Sequence, residues 1–248
     1  ENLLLAYHKN LKKPKFKRFN DLRKEDINFD FHMHTNFTDG HSRPEEMVKK
    51  AEELKLSAIA FSEHVTKESE WFDNFSSKIN SLKNNNNIRI FLGIEAKIND
   101  FNGEIDATDE MINKADIVVG VVHRYPDGKK GLIPLERIKD MGMENTAETE
   151  FKLAMKILDN KDVDVLGHPF GVYSNFFEKF PEEYMKKILE KAVKKSKAVE
   201  INTKYLFDKE KFFSLLREIN PLVSIGSDAH HKSEIARDFS IIKEELEK

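Results

Sequence analysis

Short apolar runs alternate with amphipathic stretches along the chain from residue 27 onward. In the first run, Phe29, Phe31 and Met33 alternate with polar residues, and this period of two predicts a strand over residues 27–35. The aliphatic run at residues 116–122 is typical of a strand that is covered on both faces. Further strands are predicted at residues 57–62, 88–98, 163–167, 198–202 and 222–226.

Between these strands, apolar residues recur every three or four positions, which is typical of helices that bury one face. Met47, Val48, Ala51 and Leu54 form such a stripe, and the preceding residues 42–45 resemble a capping box with an early proline. Further helices are predicted at residues 71–82, 146–158, 181–196, 208–219 and 233–248. The alternation amounts to seven βα units, which predicts an α/β fold with a parallel sheet that can close into a barrel.

The composition excludes several classes of protein. Hydrophobic residues make up 39% of the chain and no run of about 18 apolar residues occurs, so no membrane span is expected. The chain has no cysteine, which excludes a disulfide scaffold, an iron–sulfur site and a thiol nucleophile. The formal net charge is -3, so the overall charge does not favour nucleic acid. No signal-peptide pattern opens the chain, and a cytoplasmic location is expected.

Residues 1–26 differ from the rest of the chain in charge. Eight basic residues lie between Lys9 and Lys24, against one acid, Asp21. This pattern predicts a basic N-terminal arm, solvated or loosely docked, before a domain that spans residues 27–248. The alternative interpretation is a patch for a phosphate-rich partner.

Six of the nine histidines fall at or just after the predicted carboxyl ends of strands. Because these ends meet at one edge of a parallel sheet, the side chains should lie together. Alternation places His32 and His34 on one face of their strand, about 6.5–7 Å apart, within reach of one ion. Imidazole and carboxylate ligands suit Zn, Mn and Fe, so the pattern predicts a metal centre. The candidate ligands are His32, His34, Asp39, His64, Glu95, His123, His168, Asp228 and His230.

The segments that carry these residues resemble the motifs of the PHP family, the polymerase and histidinol phosphatase domain. Phe31-His32-Met33-His34-Thr35, followed by Thr38-Asp39-Gly40, resembles the opening motif of this family. Phe61-Ser62-Glu63-His64 and Gly93-Ile94-Glu95-Ala96 resemble the second and third motifs. The remaining motifs are matched, in the order of the family, by residues 121–123, 166–169 and 226–230.

The resemblance implies a distorted, TIM-like barrel of seven βα units and a centre of two or three divalent ions, with Zn, Mn and Fe left open. It implies a first ion on His32, His34, Glu95 and Asp228, a second on Glu95, His123 and His168, and a third on Asp39, His64 and His230. Glu95 would bridge two ions. The residues expected to be catalytic are Glu95, Asp228 and His230.

The chemistry that the resemblance implies is phosphoester hydrolysis by a metal-bridging hydroxide. The predicted substrate is a small phosphorylated metabolite, with a phosphatase of the histidinol-phosphatase type as the first interpretation. Arg124, Asn202 and Lys204 are candidate substrate-binding residues. The alternative interpretation of Arg124 and Lys204 is that each is an ordinary exposed basic side chain. His41 and His231 flank ligands, and each is either a proton donor or an exposed bystander, with the bystander favoured.

Two other functions stay open at this point. A nuclease or nucleotide phosphatase of the same fold would use the same ligands, and the basic arm is the feature that supports a nucleic-acid partner. A non-catalytic, metal-binding regulatory module belongs to another class of function, and the complete ligand set argues against it. The sequence determines neither the oligomeric state nor the metal.

Overall fold

The computed structural model describes residues 13–129, 131–206 and 208–248. In this part of the chain, eight strands form one sheet in the order β1-β8-β7-β6-β5-β4-β3-β2. The strands are β1 (Lys17–Arg18), β2 (Phe29–Asp30), β3 (Ala58–Val65), β4 (Arg89–Lys97), β5 (Ile117–Val121), β6 (Val165–Leu166), β7 (Ala198–Asn202) and β8 (Leu222–Gly226). All neighbouring strands run parallel except β1, which pairs antiparallel with β8.

This topology confirms the α/β class and the parallel sheet, but the number of strands differs from the prediction. Seven parallel strands match the predicted units, and the eighth strand, β1, lies in the segment that the charge pattern predicts to be solvated or loosely docked. The predicted first strand is also shorter than residues 27–35. Beyond β2 the chain bonds to both neighbours: the Phe31 amide donates to the Ile225 carbonyl at 2.9 Å, Met33 bridges Ala229, and the Ser62 amide of β3 donates to the Met33 carbonyl at 2.9 Å.

Eight α-helices are found among the described residues. They are α1 (Pro44–Glu53), α2 (Phe72–Asn85), α3 (Asp109–Lys114), α4 (Leu135–Ile138), α5 (Met143–Asp159), α6 (Glu182–Lys195), α7 (Lys209–Ile219) and α8 (Phe239–Glu245). The short helices α3 and α4 are not predicted, since each is less than two turns long and shows no full apolar stripe. No described helix has the length and apolar character needed to cross a membrane.

Two predicted helix starts are wrong in detail. The helix predicted over residues 233–248 is only α8, because Ala236 and Asp238 adopt left-handed backbone conformations with φ of 55° and 58°. At α1, Pro44 is the first helical residue, which agrees with the predicted early proline, but Ser42 does not cap the helix. The Ser42 hydroxyl accepts instead from the Lys232 backbone amide at 3.0 Å, and this bond ties the start of α1 to the chain after β8.

The basic segment is docked wherever the structure describes it. Phe19 and Leu22 are buried, and β1 pairs with the first two residues of β8. Lys13 Nζ lies 2.8 Å from Asp164 Oδ1. Of the two predicted forms of the arm, the docked one therefore fits residues 16–26, because apolar side chains spaced three apart bury there. Residues 1–12 lie outside the described residues, and the domain boundary after residue 26 stays a prediction.

The sheet is covered on both faces. All five residues of β5 are buried, as the aliphatic run predicts. Along β3, Ile59 and Phe61 join the large core under the helices, while Ala58 and Ala60 belong to a smaller cluster on the opposite face. This smaller cluster fills the end of that face where the strands begin. The other end of the same face carries the polar residues described next.

Candidate metal centre

The candidate ligands continue the face of the smaller cluster toward the carboxyl ends of the strands. The period of two carries this face from Ala60 to His64 along β3, and from Phe91 to Glu95 along β4. His64 and Glu95 are direct neighbours in the register of these two strands. The strand geometry therefore brings together residues that are about 30 positions apart in sequence.

Glu95 lies at the middle of the cluster. Its Oε1 atom is 3.2 Å from His32 Nε2, 3.2 Å from His123 Nε2 and 3.0 Å from His168 Nε2. Its Oε2 atom is 2.5 Å from His64 Nδ1. The Glu95 side chain is 1% exposed. One buried carboxylate thus has imidazoles from four segments of the chain around its two oxygens.

The other two carboxylates extend the cluster toward solvent. Asp228 Oδ1 lies 3.2 Å from His34 Nε2 and 3.5 Å from His230 Nδ1. Asp39 Oδ2 lies 3.4 Å from His64 Nε2 and, again at 3.4 Å, from His230 Nε2. All nine predicted ligands therefore lie in one continuous cluster.

Four sets of potential ligand atoms lie close enough to share an ion, with the atoms of each set within 4.8 Å of one another. The sets are His34, Asp39, His64 and His230; His32, Glu95 and His168; His32, His34 and Asp228; and His64, Glu95 and His123. The ligands that the resemblance implies for the third ion, Asp39, His64 and His230, all belong to the first of these sets. His168 and His123 both contact Oε1 of Glu95 but belong to different sets. The assignment of residues to individual ions stays a prediction.

The donor set and its unpaired atoms fit divalent metal ions. His32 Nε2 and both ring nitrogens of His34 are buried and, among the described residues, have no hydrogen-bond partner. A buried polar atom without a partner is costly, and a bound cation would satisfy these nitrogens. Imidazole nitrogens and carboxylate oxygens in this number suit Zn, Mn or Fe. The residues present therefore fit the implied metals.

The charges of the cluster are strongly coupled. Burial lowers the pKa of His34 to about 4, so this ring is neutral and keeps a lone pair at neutral pH. Burial alone would lower the pKa of His64, but hydrogen bonds to Asp39 and Glu95 raise it to about 10. Burial would raise the pKa of Glu95, yet the surrounding imidazoles hold it well below its usual range. Metal ions that bind here would displace protons from the rings.

Backbone geometry sets the position of Asp228. This residue has a φ of 51°, a left-handed conformation that non-glycine residues seldom adopt. Its amide donates to the His32 carbonyl at 2.9 Å. Buried Asp30 accepts from the Ser227 amide at 3.0 Å and from the Ser227 hydroxyl at 2.5 Å. These bonds hold the chain after β8 against the segment of His32 that follows β2, so the unusual conformation of Asp228 is imposed by its surroundings.

Three buried carboxylates that the sequence does not identify as ligands support the centre. Asp30 fixes the segment of Asp228, as described above. Glu63 accepts from the Thr35 amide at 2.8 Å and the Thr35 hydroxyl at 2.6 Å, and burial raises its pKa to about 7. Glu200 contacts His32 and His168. Each was visible as an acidic residue in or beside a predicted strand, where a charge needs a buried partner.

The three predicted substrate-binding residues differ in burial and in their contacts with the cluster. Lys204 Nζ lies 2.9 Å from Asp228 Oδ2, at the edge of the cluster. Arg124 is half-buried beside His123, and within the described residues it forms no ion pair with any of the nine. Asn202 is only 3% exposed, and its side chain bonds to Glu200 and to the Lys204 amide, so its contact with substrate stays a prediction.

The two flanking histidines have separate surroundings. His231 Nδ1 lies 2.7 Å from the Ser233 hydroxyl, where it caps a short 3-10 turn. His41 is exposed, and its backbone amide donates to the His230 carbonyl at 2.6 Å. Within the described part of the chain, neither side chain forms a hydrogen bond, ion pair or ring contact with a candidate ligand. The bystander interpretation is favoured for both.

The chain belongs to the PHP domain family, and the match covers residues 30–204. This confirms the resemblance that the motifs carry. A protein named "Probable phosphatase" from Caldicellulosiruptor saccharolyticus is 26% identical over 220 residues, which cover 83% of this chain and 81% of that protein. Another of the same name from Acetivibrio thermocellus is 24% identical over 226 residues, covering 86% of this chain and 84% of that protein.

A solved structure shares the fold. It is described as a candidate histidinol phosphatase, hisK, from Listeria monocytogenes, and it superposes with a TM-score of 0.70 at 22% identity. The superposition covers 86% of this chain and 99% of that one. At this level of identity the likeness shows the fold alone.

Proposed function

We propose that this chain is a metal-dependent phosphoesterase that hydrolyses small phosphomonoesters, with its sheet closed as a PHP-type barrel below the site. One observation carries the proposal. Ring nitrogens of His32, His64, His123 and His168 all lie within 3.2 Å of an oxygen of Glu95, which is buried. A carboxylate with two oxygens facing separate imidazoles has the arrangement of a bridging ligand between ions.

Divalent ions bound in this cluster would supply Lewis acidity and a water of lowered pKa for attack on phosphorus. The residues of the chain do the rest. Glu95 and Asp228 provide buried negative charge that needs cations as partners. His34, which burial keeps neutral, offers a lone pair without the prior loss of a proton.

Lys204 is the cation that we assign to the phosphate of the substrate. Its side chain is 38% exposed while Nζ contacts buried Asp228, so the ammonium group faces both the centre and the solvent. A cation at this point would neutralise charge on phosphoryl oxygens during attack. Asn202 Oδ1 accepts from the Lys204 amide at 3.1 Å, and Asn202 therefore orients Lys204 rather than contacting substrate.

Two comparisons support a small monoester substrate. Relatives that align with more than four fifths of the chain are named phosphatases. The structural neighbour described as a candidate histidinol phosphatase superposes over 99% of its own length. We therefore propose a phosphorylated metabolite of the histidinol phosphate type as the substrate class.

The nuclease alternative is not favoured by the position of the basic segment. Lys17 pairs with Val223 at the start of β8, whereas Asp228 follows the end of that strand. At about 3.3 Å per residue, the two points are roughly 16 Å apart along the strand. Several of the cations are also engaged with acids, since Lys17 pairs with Asp26 at 2.7 Å and Lys24 pairs with Glu247 at 2.6 Å.

The test is a substrate screen on protein loaded separately with Zn, Mn and Fe(II). We expect phosphate release from small monoesters, loss of this activity on chelation, and recovery when metal is returned, with two or three ions per chain by elemental analysis. Glu95→Gln is the matched control, because it preserves size and removes the negative charge. Oligonucleotide degradation without monoester hydrolysis would contradict the proposal. Tight metal binding with no hydrolysis of any ester would favour a regulatory module.

A further inference from the structure

Building on the metal centre of the proposed function, we propose that Glu200 is a positioning residue that keeps a proton on His32 Nδ1 and so reserves Nε2 for metal. Glu200 lies on β7 and is 2% exposed. It is not one of the nine predicted ligands. Its role is to determine which nitrogen of a ligand faces the ion.

Each oxygen of Glu200 has its own donor. Oε1 lies 2.7 Å from His32 Nδ1. Oε2 accepts from the His168 backbone amide at 2.8 Å and from Asn202 Nδ2 at 3.2 Å. The carboxylate thus connects two candidate ligands that follow different strands, β2 and β6.

The chemistry of these partners leaves one arrangement of protons. An ionised carboxylate only accepts hydrogen bonds, and a backbone amide only donates. The His168 amide therefore occupies Oε2, and Oε1 requires a proton on His32 Nδ1. The free lone pair of His32 is then on Nε2, which lies 3.2 Å from Glu95 Oε1 and has no hydrogen-bond partner among the described residues. Partners of this kind fix the tautomer of metal-binding histidines.

The space around Glu200 is also adapted to this contact. Gly226, the last residue of β8, lies where a Cβ atom would collide with Glu200 Oε1 and with the Cβ of His32. Only glycine leaves room for the carboxylate and the imidazole at this point. The close approach therefore depends on the backbone of a third strand as well as on the two partners.

Replacement of the carboxylate by an amide breaks the arrangement, because glutamine accepts at only one end. If the side-chain oxygen of the new glutamine in Glu200→Gln points at His32, its NH2 group faces the His168 backbone amide. Two donors then oppose each other. An oxygen directed at His168 leaves the NH2 group against His32 Nδ1, which must then accept and move its proton to Nε2. The first outcome weakens the hold on the segment of His168 and the second takes Nε2 of His32 away from the metal, so either one impairs metal binding at the centre.

The first experiment uses the wild-type chain. In nitrogen-15 spectra of protein labelled at histidine, we expect the His32 Nδ1 proton to be present both without metal and with Zn bound, and Nε2 to carry the Zn. Zn on Nδ1, or an Nδ1 without a proton in the metal-free protein, would overturn the proposal. Neither result depends on a phosphate ester, so loss of the proposed phosphatase activity would leave this measurement valid.

The second experiment compares variants by Zn and Mn titration. Glu200→Gln should lower metal affinity about 10- to 100-fold, the usual effect of removing the partner of a metal-binding histidine. The matched control is Glu150→Gln, since Glu150 is also buried and accepts from the Tyr173 amide at 2.8 Å and the Tyr125 hydroxyl at 2.6 Å, but bonds to no imidazole. We expect its affinity to match that of the wild type. Equal affinities for all three proteins would overturn the proposal.

Discussion

The inner and outer parts of the candidate metal centre are built in different ways. Inner side chains are almost fully enclosed, with exposures of 1% for His32 and 0% for His34. Outer ones face solvent, with exposures of 57% for Asp39, 34% for His64 and 22% for His230. The buried carboxylates of Glu200 and Asp30 hold the inner part in place, whereas Asp39 lies in a turn between β2 and α1.

From this difference we infer that the inner and outer parts of the centre have separate functions. Enclosed ligands with fixed hydrogen-bond partners are preorganised, so they should bind ions tightly and exchange them slowly. Exposed ligands can rearrange at little cost, and substrate can reach them. We expect the inner part to define the metal content of the protein and the outer part to tune its activity.

Removal of Glu95 should have the largest effect. Glu95→Ala removes a buried carboxylate that lies next to four imidazoles. We therefore expect kcat to fall more than about 100-fold and the number of bound ions to drop. Steady-state kinetics and elemental analysis on the same sample measure both. An activity above a tenth of wild type, a barrier change under about 1.4 kcal/mol, would contradict the bridging role.

Loss of Asp39 should be milder. Asp39→Ala removes an exposed carboxylate that contacts only His64 and His230 among the nine. We expect a decrease in kcat of about tenfold, or about 1.4 kcal/mol, with the inner ions retained. Elemental analysis after mild chelation checks this point. If Asp39→Ala released all ions, the two parts would not be separable.

A smaller effect is expected from the cation at the edge of the centre. Lys204→Met should lower kcat/KM about tenfold without changing the metal content, because the charge next to Asp228 is lost. Arg124→Met is the matched control, since Arg124 forms no ion pair with the nine residues in the described part of the chain. A larger effect for Arg124→Met than for Lys204→Met would reverse our assignment of the phosphate-binding residue.

The smallest effect on turnover is expected far from the centre. Phe19→Ala removes a side chain that is 2% exposed, so the free energy of unfolding should fall by about 3–5 kcal/mol while kcat of the folded protein stays unchanged. A chain shortened to begin at Arg23 should behave in the same way. Denaturant titration and assays below the unfolding transition test this pair of expectations.

Lys13→Ala is the control for that loss, because the exposed ion pair of Lys13 with Asp164 should contribute less than about 1 kcal/mol. A drop in kcat for Phe19→Ala at full folding would show that the basic segment communicates with the site. Salt-sensitive binding of an oligonucleotide, lost on truncation, would revive the nucleic-acid alternative.

Much of this arrangement was predictable because it depends on periods of two along strands. Alternation alone places His32 and His34 on one face, and the serial βα units place Glu95, His168 and Asp228 at one edge of a sheet. The nine clustered ligands follow from these local rules. The docked segment at Phe19 does not, since its eight positive charges conceal a short strand that pairs with β8 and a phenylalanine ring that packs on Phe213 of α7.

The sequence by itself determined the type of fold, the family and the chemical nature of the ligands, because these depend on residue types and on short-range spacing. Only the tertiary structure decided which contacts the ligands make. The bonds from Glu200 to His32 and His168, the place of Asn202 behind Lys204, and the exposure of Asp39 all arise where strands distant in sequence meet. Such contacts depend on sub-ångström packing between β2, β6, β7 and β8, and no local pattern in the chain encodes them.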